Sequence, residues 1–198
     1  TAWSKLFTST NHIIQLINDG TNIYAATDGT GVYYSSDNGT TWQQKNTGIT
    51  NLHVYSVFKN GSNLFAGTST DGVFLSTDNG TNWTAINNGL TQKNVNTVLS
   101  SGSYLYAGMG GSGVFVSTNN GTSWTQTTLT GKNIMTFKAF NNKIYATTFG
   151  GGVYVTSDNG TTWTQINTGL TNLYIYSLAV HINNNMFCST ADGVYYSS

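Results

Sequence analysis

Apolar and polar residues alternate in short runs along this chain, and Gly, Asn or Asp interrupts them every few positions. The second repeat of the pattern shows the unit. His53-Val54-Tyr55-Ser56-Val57-Phe58 reads as one strand, ended by Asn60-Gly61, and Asn63-Leu64-Phe65-Ala66-Gly67 as the next, ended by Thr70-Asp71-Gly72. Val73-Phe74-Leu75-Ser76 is the third and Trp83-Thr84-Ala85-Ile86 the fourth, joined through the turn residues Asp78-Asn79-Gly80. Short β-branched and aromatic runs bounded by turn formers predict strands, and no stretch keeps the period of a helix. Asx side chains bond the backbone ahead of them and Gly accepts positive φ, so Asp-Asn-Gly predicts a tight turn.

The unit recurs. Segments starting at Ser35, Ser76, Ser117 and Thr156 superimpose at spacings of 41, 41 and 39 residues, and each ends in a tryptophan, at 42, 83, 124 and 163. A Gly-Val-aromatic step precedes each, at Gly31, Gly72, Gly113 and Gly152, and a fifth step at Gly193 runs to the last residue, Ser198. Thr1-Ala2-Trp3 matches Thr40-Thr41-Trp42, so the beginning of the chain supplies the missing end of the fifth repeat. The expected fold is all-β: a five-bladed β-propeller of four-stranded antiparallel blades, closed by residues 1–6 pairing with 193–198. It forms one domain, with repeats at about 12–52, 53–93, 94–132, 133–173, and 174–198 completed by 1–11. Closure hides the sheet edges, and a monomer is expected.

The segment Ser/Thr-x-Asp-x-Gly-x-Thr-Trp resembles the Asp box, and the chain is similar to the Asp-box (BNR-type) β-propeller family. That family spans sialidases, xyloglucanases, sortilin-type receptors and photosystem assembly propellers, so the resemblance implies a fold without choosing an activity. It also implies that the box hairpin lies on the face away from ligand sites. Asp37, Asp78 and Asp158 then read as turn formers, and Asn119, which replaces Asp in the third box, can still accept hydrogen bonds there. All five tryptophans are taken by box positions.

Composition narrows the function. The seven basic residues are all Lys and the seven acidic ones all Asp; Arg, Glu and Pro are absent, and the formal net charge is zero. Nothing favours nucleic acid or an anionic membrane, and no apolar run suits membrane insertion. Without Arg, bidentate capture of carboxylate or phosphate is unavailable. The single Cys188 stands where other repeats carry Ala25, Ala66, Ala107 and Ala146, and reads as a small buried apolar residue. No metal and no cofactor is expected. Thr1 in place of an initiator Met suggests a processed or excised piece, and an extracellular or cell-surface location is expected.

Positions shared by every repeat are explained by the scaffold, whereas positions that differ are not. The inner strands share apolar residues at Ile13, Val54, Val95, Ile134 and Ile175, and again three residues later, but diverge between, at Ile14, Tyr55, Asn96, Met135 and Tyr176. The residues leading into the strands and the loops after the second strands diverge likewise. The candidate ligand-binding patch is therefore His53, Tyr55, Asn96, Tyr174 and Tyr176, with Asp28, Asp71, Phe149 and Asp192 at its rim. Three functions follow. The first is a secreted or surface binding module, lectin-like, recognising a neutral glycan or a protein ligand without catalysis. The second is a non-catalytic interaction or structural scaffold, natural or engineered. The third is a glycoside hydrolase drawing two carboxylates from Asp28, Asp71 and Asp192.

Overall fold

A computed structural model describes residues 11–20 and 22–198 of the chain. All its regular elements among these residues are strands. Packing divides the chain into two compact units, residues 1–87 with 93–95, and residues 88–92 with 96–198. The expected pairing of residues 1–6 with 193–198 falls partly on residues 1–10, outside the described ones.

The first unit holds two antiparallel sheets. One runs in the order β1 (Ile13–Asn18), β2 (Ile23–Thr27), β3 (Gly31–Ser35), β4 (Gln43–Gln44). The other runs β5 (Val54–Asn60), β6 (Asn63–Thr68), β7 (Val73–Ser76), β8 (Thr84–Ala85). The second unit holds β9 (Val95–Ser101, whose first residue is counted with the first unit), β10 (Tyr104–Met109), β11 (Gly113–Ser117) and β12 (Thr125–Thr130). It continues with β13 (Ile134–Phe140), β14 (Lys143–Thr148), β15 (Gly152–Thr156) and β16 (Thr164–Gln165), then β17 (Ile175–Val180), β18 (Met186–Thr190) and β19 (Gly193–Ser197). Four sheets thus have four strands, and the fifth has three among the described residues.

The three-residue spacing of apolar positions has a physical cause. In an unbroken strand, residues three apart face opposite sides. The ladder slips by one residue between Val54 and Ser56, and at the matching place in β1, β13 and β17. The slip brings Val54 and Val57 onto one face, where both pack against Tyr24 and Val32 of the preceding sheet. Ile175 and Leu178 pack in the same way on Tyr145 and Val153 in the second unit. The bulged residues, released from the ladder, are Ile14, Tyr55, Met135 and Tyr176, four of the positions at which the repeats diverge.

The fourth strand of the second repeat is shorter than the sequence predicts, Thr84–Ala85 rather than 83–86. The side chain of Asn87 takes over the ladder. Its amide oxygen accepts from Val73 N at 2.8 Å and its nitrogen donates to Asp71 O at 2.7 Å. Asn46 and Asn167 do the same for Val32 and Val153. That amide lies so close to the glycine before each valine that a Cβ on Gly31, Gly72 or Gly152 would meet it at 2.2 Å.

Each complete turn is closed by its own side chains. The Asp37 carboxylate accepts Thr41 N at 2.8 Å and the Thr41 hydroxyl at 2.7 Å, while Gly39 N donates to Ser35 Oγ at 2.8 Å. These bonds, led by the Thr41 N–H, bring the Asp37 carboxyl down to about 2. Asn119 holds the third turn through equivalent bonds to Ser117 and Ser123. Trp83 and Trp124 are buried.

Candidate binding site

The nine candidate residues fall into both units: Asp28, His53, Tyr55 and Asp71 in the first, Asn96, Phe149, Tyr174, Tyr176 and Asp192 in the second. In each unit a residue just past a second strand is bridged to the residue leading into the next inner strand. The bridges are Asp28 to His53, Gly110 to Asn133 and Phe149 to Tyr174. One backbone geometry therefore carries three different side-chain pairs.

In the first unit that pair is polar. His53 Nδ1 lies 2.5 Å from Asp28 Oδ1, and both side chains are solvent-accessible. Gly29, at φ +108°, lies against Asn11, whose side-chain amide a Cβ there would meet at 2.4 Å. Asp71 accepts from the Thr50 hydroxyl and, at 3.0 Å, from Thr70 Oγ1. Asn51 donates to Thr70 and accepts His53 N at 2.8 Å. Tyr55 is half-buried on its bulge.

In the second unit the pair is aromatic. The Phe149 and Tyr174 rings meet edge-on, with centroids 4.7 Å apart, and Tyr176 lies 6.2 Å from Phe149. All three rings are nearly half exposed, at 45%, 48% and 46%. Exposure of this kind at three touching aromatics is unusual for an isolated surface residue and forms a small apolar platform with two hydroxyls. Its support is backbone: Gly150 N and Gly152 N both donate to Leu173 O, at 3.1 and 2.9 Å. Gly150, at φ +96°, sits where a Cβ would come within 3.5 Å of the Tyr174 ring.

The remaining two candidates are tied to the scaffold. Asn96 donates at 2.9 Å to both Asn133 Oδ1 and Ile134 O, bracing the lead-in to β13. Asp192 accepts from Thr190 Oγ1 at 2.5 Å and Tyr195 OH at 3.2 Å. The Thr190 hydroxyl, first among these, holds its carboxyl below the ordinary range. Burial raises the Cys188 thiol, which packs in an apolar cluster with Leu178 and Ile175. Thr50, Asn51 and Gly150 build the two loop clusters yet were absent from the sequence-derived patch. Thr50 and Asn51 bond to Asp71 and Thr70 about twenty positions away.

Bulged inner strands, Asp-Asn-Gly turns joining third to fourth strands and divergent loops at one end of the inner strands define the class of protein: a β-propeller. The chain belongs to the DUF6242 beta propeller domain family, whose model matches residues 1–104 and again 91–198. No curated protein matches it. Among solved structures it is similar to an ancestral GH74 enzyme, at 19% identity and a TM-score of 0.77 over 100% of this chain and 32% of that one. It is also similar to the extracellular domain of a Bacteroides thetaiotaomicron protein described as a hybrid two component system, at 17% identity and TM-score 0.78, over 99% of this chain and 28% of that one. A third is YCF48 bound to D1 peptide, at 16% identity and TM-score 0.71, over 99% and 66%. At these identities the likeness is one of fold. The chain spans about a third or less of the first two proteins.

Proposed function

We propose that this chain is a non-catalytic binding module that recognises a neutral glycan through the aromatic platform of Phe149, Tyr174 and Tyr176. The observation that carries the reading is the exposure of three touching rings on a glycine-supported loop and a bulged strand. Sugar rings present C–H faces that stack on aromatics and hydroxyls that bond to tyrosine. With no Arg in the chain and no charged side chain in this trio, an uncharged ligand is the best chemical match. The hydrolase alternative has less support. Asp192 is shifted away from the raised state a general acid needs, and Asp28 and Asp71 are engaged by His53 and by Thr50 and Thr70.

A surface or extracellular setting accords with the Bacteroides extracellular domains of similar fold. Among the described residues no helix is long and apolar enough to cross a membrane. A second reading, recognition of a peptide, is favoured by the fold's likeness to YCF48 bound to D1 peptide. A glycan array probed with the wild-type chain and with Tyr176→Ala separates them. Hits that vanish with Tyr176→Ala support the glycan reading, and an array without hits removes it.

A further inference from the structure

The dipeptide Asn-Gly occurs six times, at Asn38, Asn60, Asn79, Asn88, Asn120 and Asn159. It is the pair most open to spontaneous loss of ammonia, because glycine has no Cβ to hinder its own nitrogen. That nitrogen, once deprotonated, attacks the asparagine Cγ. The Cγ–Nδ2 bond breaks, ammonia leaves and a succinimide ring remains. Water then opens the ring to aspartate or isoaspartate. The only co-reactant is water, and control lies in whether the glycine N–H is held.

Four of the six are held. In the turns, Gly39 N, Gly80 N, Gly121 N and Gly160 N each donate to the hydroxyl four residues back, of Ser35, Ser76, Ser117 and Thr156, at 2.8 to 2.9 Å, and these bonds are buried. The same hydroxyl donates to the Asp or Asn two residues on, at 2.7 to 2.8 Å, which fixes it as the acceptor for the glycine. A nitrogen whose hydrogen is engaged and buried reacts only when the turn opens locally. Asn88-Gly89 is clamped by other means. Asn88 O accepts from Trp124 N at 2.9 Å, and a Cβ on Gly89 would lie 2.2 Å from the Trp124 carbonyl oxygen.

Asn60-Gly61 has neither restraint. It sits at the tip of the β5–β6 hairpin, where Asn60 pairs with Asn63 at the end of the ladder. Asn60, Gly61 and Ser62 are exposed. Among the described residues Gly61 N finds no acceptor and the Asn60 side chain no partner. Nothing lies within 4 Å of a Cβ built on Gly61, at φ +59°. We propose that Asn60 is a self-modification site, the one Asn-Gly of this chain that converts to aspartate and isoaspartate in the folded protein. The carboxylate formed follows Lys59, whose ammonium pairs with Asp19. Isoaspartate also lengthens the backbone by a methylene where the β5–β6 ladder ends. The aromatic platform holds none of these residues, so neither proposal stands or falls with the other.

The full wild-type chain is incubated folded at mildly alkaline pH, and in parallel unfolded in urea. Both samples are mapped by peptide mass spectrometry with isoaspartyl methyltransferase labelling. All six asparagines should convert in urea. In the folded chain Asn60 should convert at least roughly tenfold faster than any of the other five, which react only from locally opened states. Ser76→Ala frees the Gly80 N–H and should bring Asn79 up toward the rate of Asn60, with folding checked by circular dichroism. Should that variant be unfolded, the wild-type comparison alone decides. Equal rates for Asn60 and any other of the six in the folded wild type, or an intact Asn60 there while the unfolded chain converts, overturns the inference. A folded Ser76→Ala chain in which Asn79 stays inert overturns it as well.

Discussion

Trp83 and Trp163 hold the same repeat position, and their ring nitrogens are treated differently. Trp83 Nε1 donates to Lys45 O at 2.9 Å, whereas Trp163 Nε1 is buried with no acceptor among the described residues. The cause lies one repeat earlier. The third repeat is two residues shorter, and its outer strand β12 changes register between Gly113 and Phe115, carrying a different backbone past this indole. Trp83→Phe should therefore cost about 1 to 2 kcal/mol more than Trp163→Phe in urea denaturation, because only the first loses a made bond and strands a carbonyl. Trp83→Ala should cost roughly 3 to 5 kcal/mol. The turn aspartates act at the same scale through pH. Asp37, Asp78 and Asp158 are each held near 2 by backbone and side-chain donors, hydroxyls at Asp37 and Asp158 and the Asn82 amide with the Ser76 hydroxyl at Asp78, below the ordinary 3.8. A carboxyl depressed in the folded state stabilises fully above its unfolded value, and that contribution is lost as pH falls from about 4 to about 2. Melting temperature should fall over that window, and fall less in the triple variant carrying Asn at the three positions. Asn119 already shows that Asn holds the turn.

At the scale of the element, the outer strands explain the glycines. β4, β8 and β16 have two residues each, followed by one more backbone bond (Ile86 N to Val73 O in the second repeat) and then by an asparagine side chain that takes the next ladder position, whereas β12 has six and pairs Gly113 with Thr130 directly. Asn87→Ala strands the buried Val73 N–H, and a loss of about 1 to 3 kcal/mol is expected by the same denaturation. Much of this level was legible in the sequence. The alternation placed the strands, the Asp-Asn-Gly turns joined them, and the recurring Gly-Val marked each third strand. The asparagine link was not legible, since Asn87 and Val73 are fourteen positions apart and nothing local ties them. The bulge was half legible. An apolar spacing of three inside a strand called for one, and the divergence of Ile14, Tyr55 and Tyr176 followed from it.

Across the whole molecule, the repeats act as controls for one another. The bridge of Asp28 to His53 and that of Phe149 to Tyr174 share a backbone, so their difference is one of side chains alone. Divergence between repeats pointed to those pairs. It could not separate Asn96, which braces Asn133 and Ile134, from Tyr176, which faces solvent, because both simply differ from their counterparts. The account's central claim is that Phe149, Tyr174 and Tyr176 bind a neutral glycan without turnover. The most direct measurement titrates the best array ligand against wild type, Phe149→Ala and Tyr176→Ala, with reducing-end release followed in the same samples. The account predicts saturable binding by wild type and at least roughly tenfold weaker binding by each variant. It also predicts melting temperatures within about two degrees of wild type and no release of reducing ends. Equal affinity in all three chains, or release of reducing ends by the wild type, would contradict it.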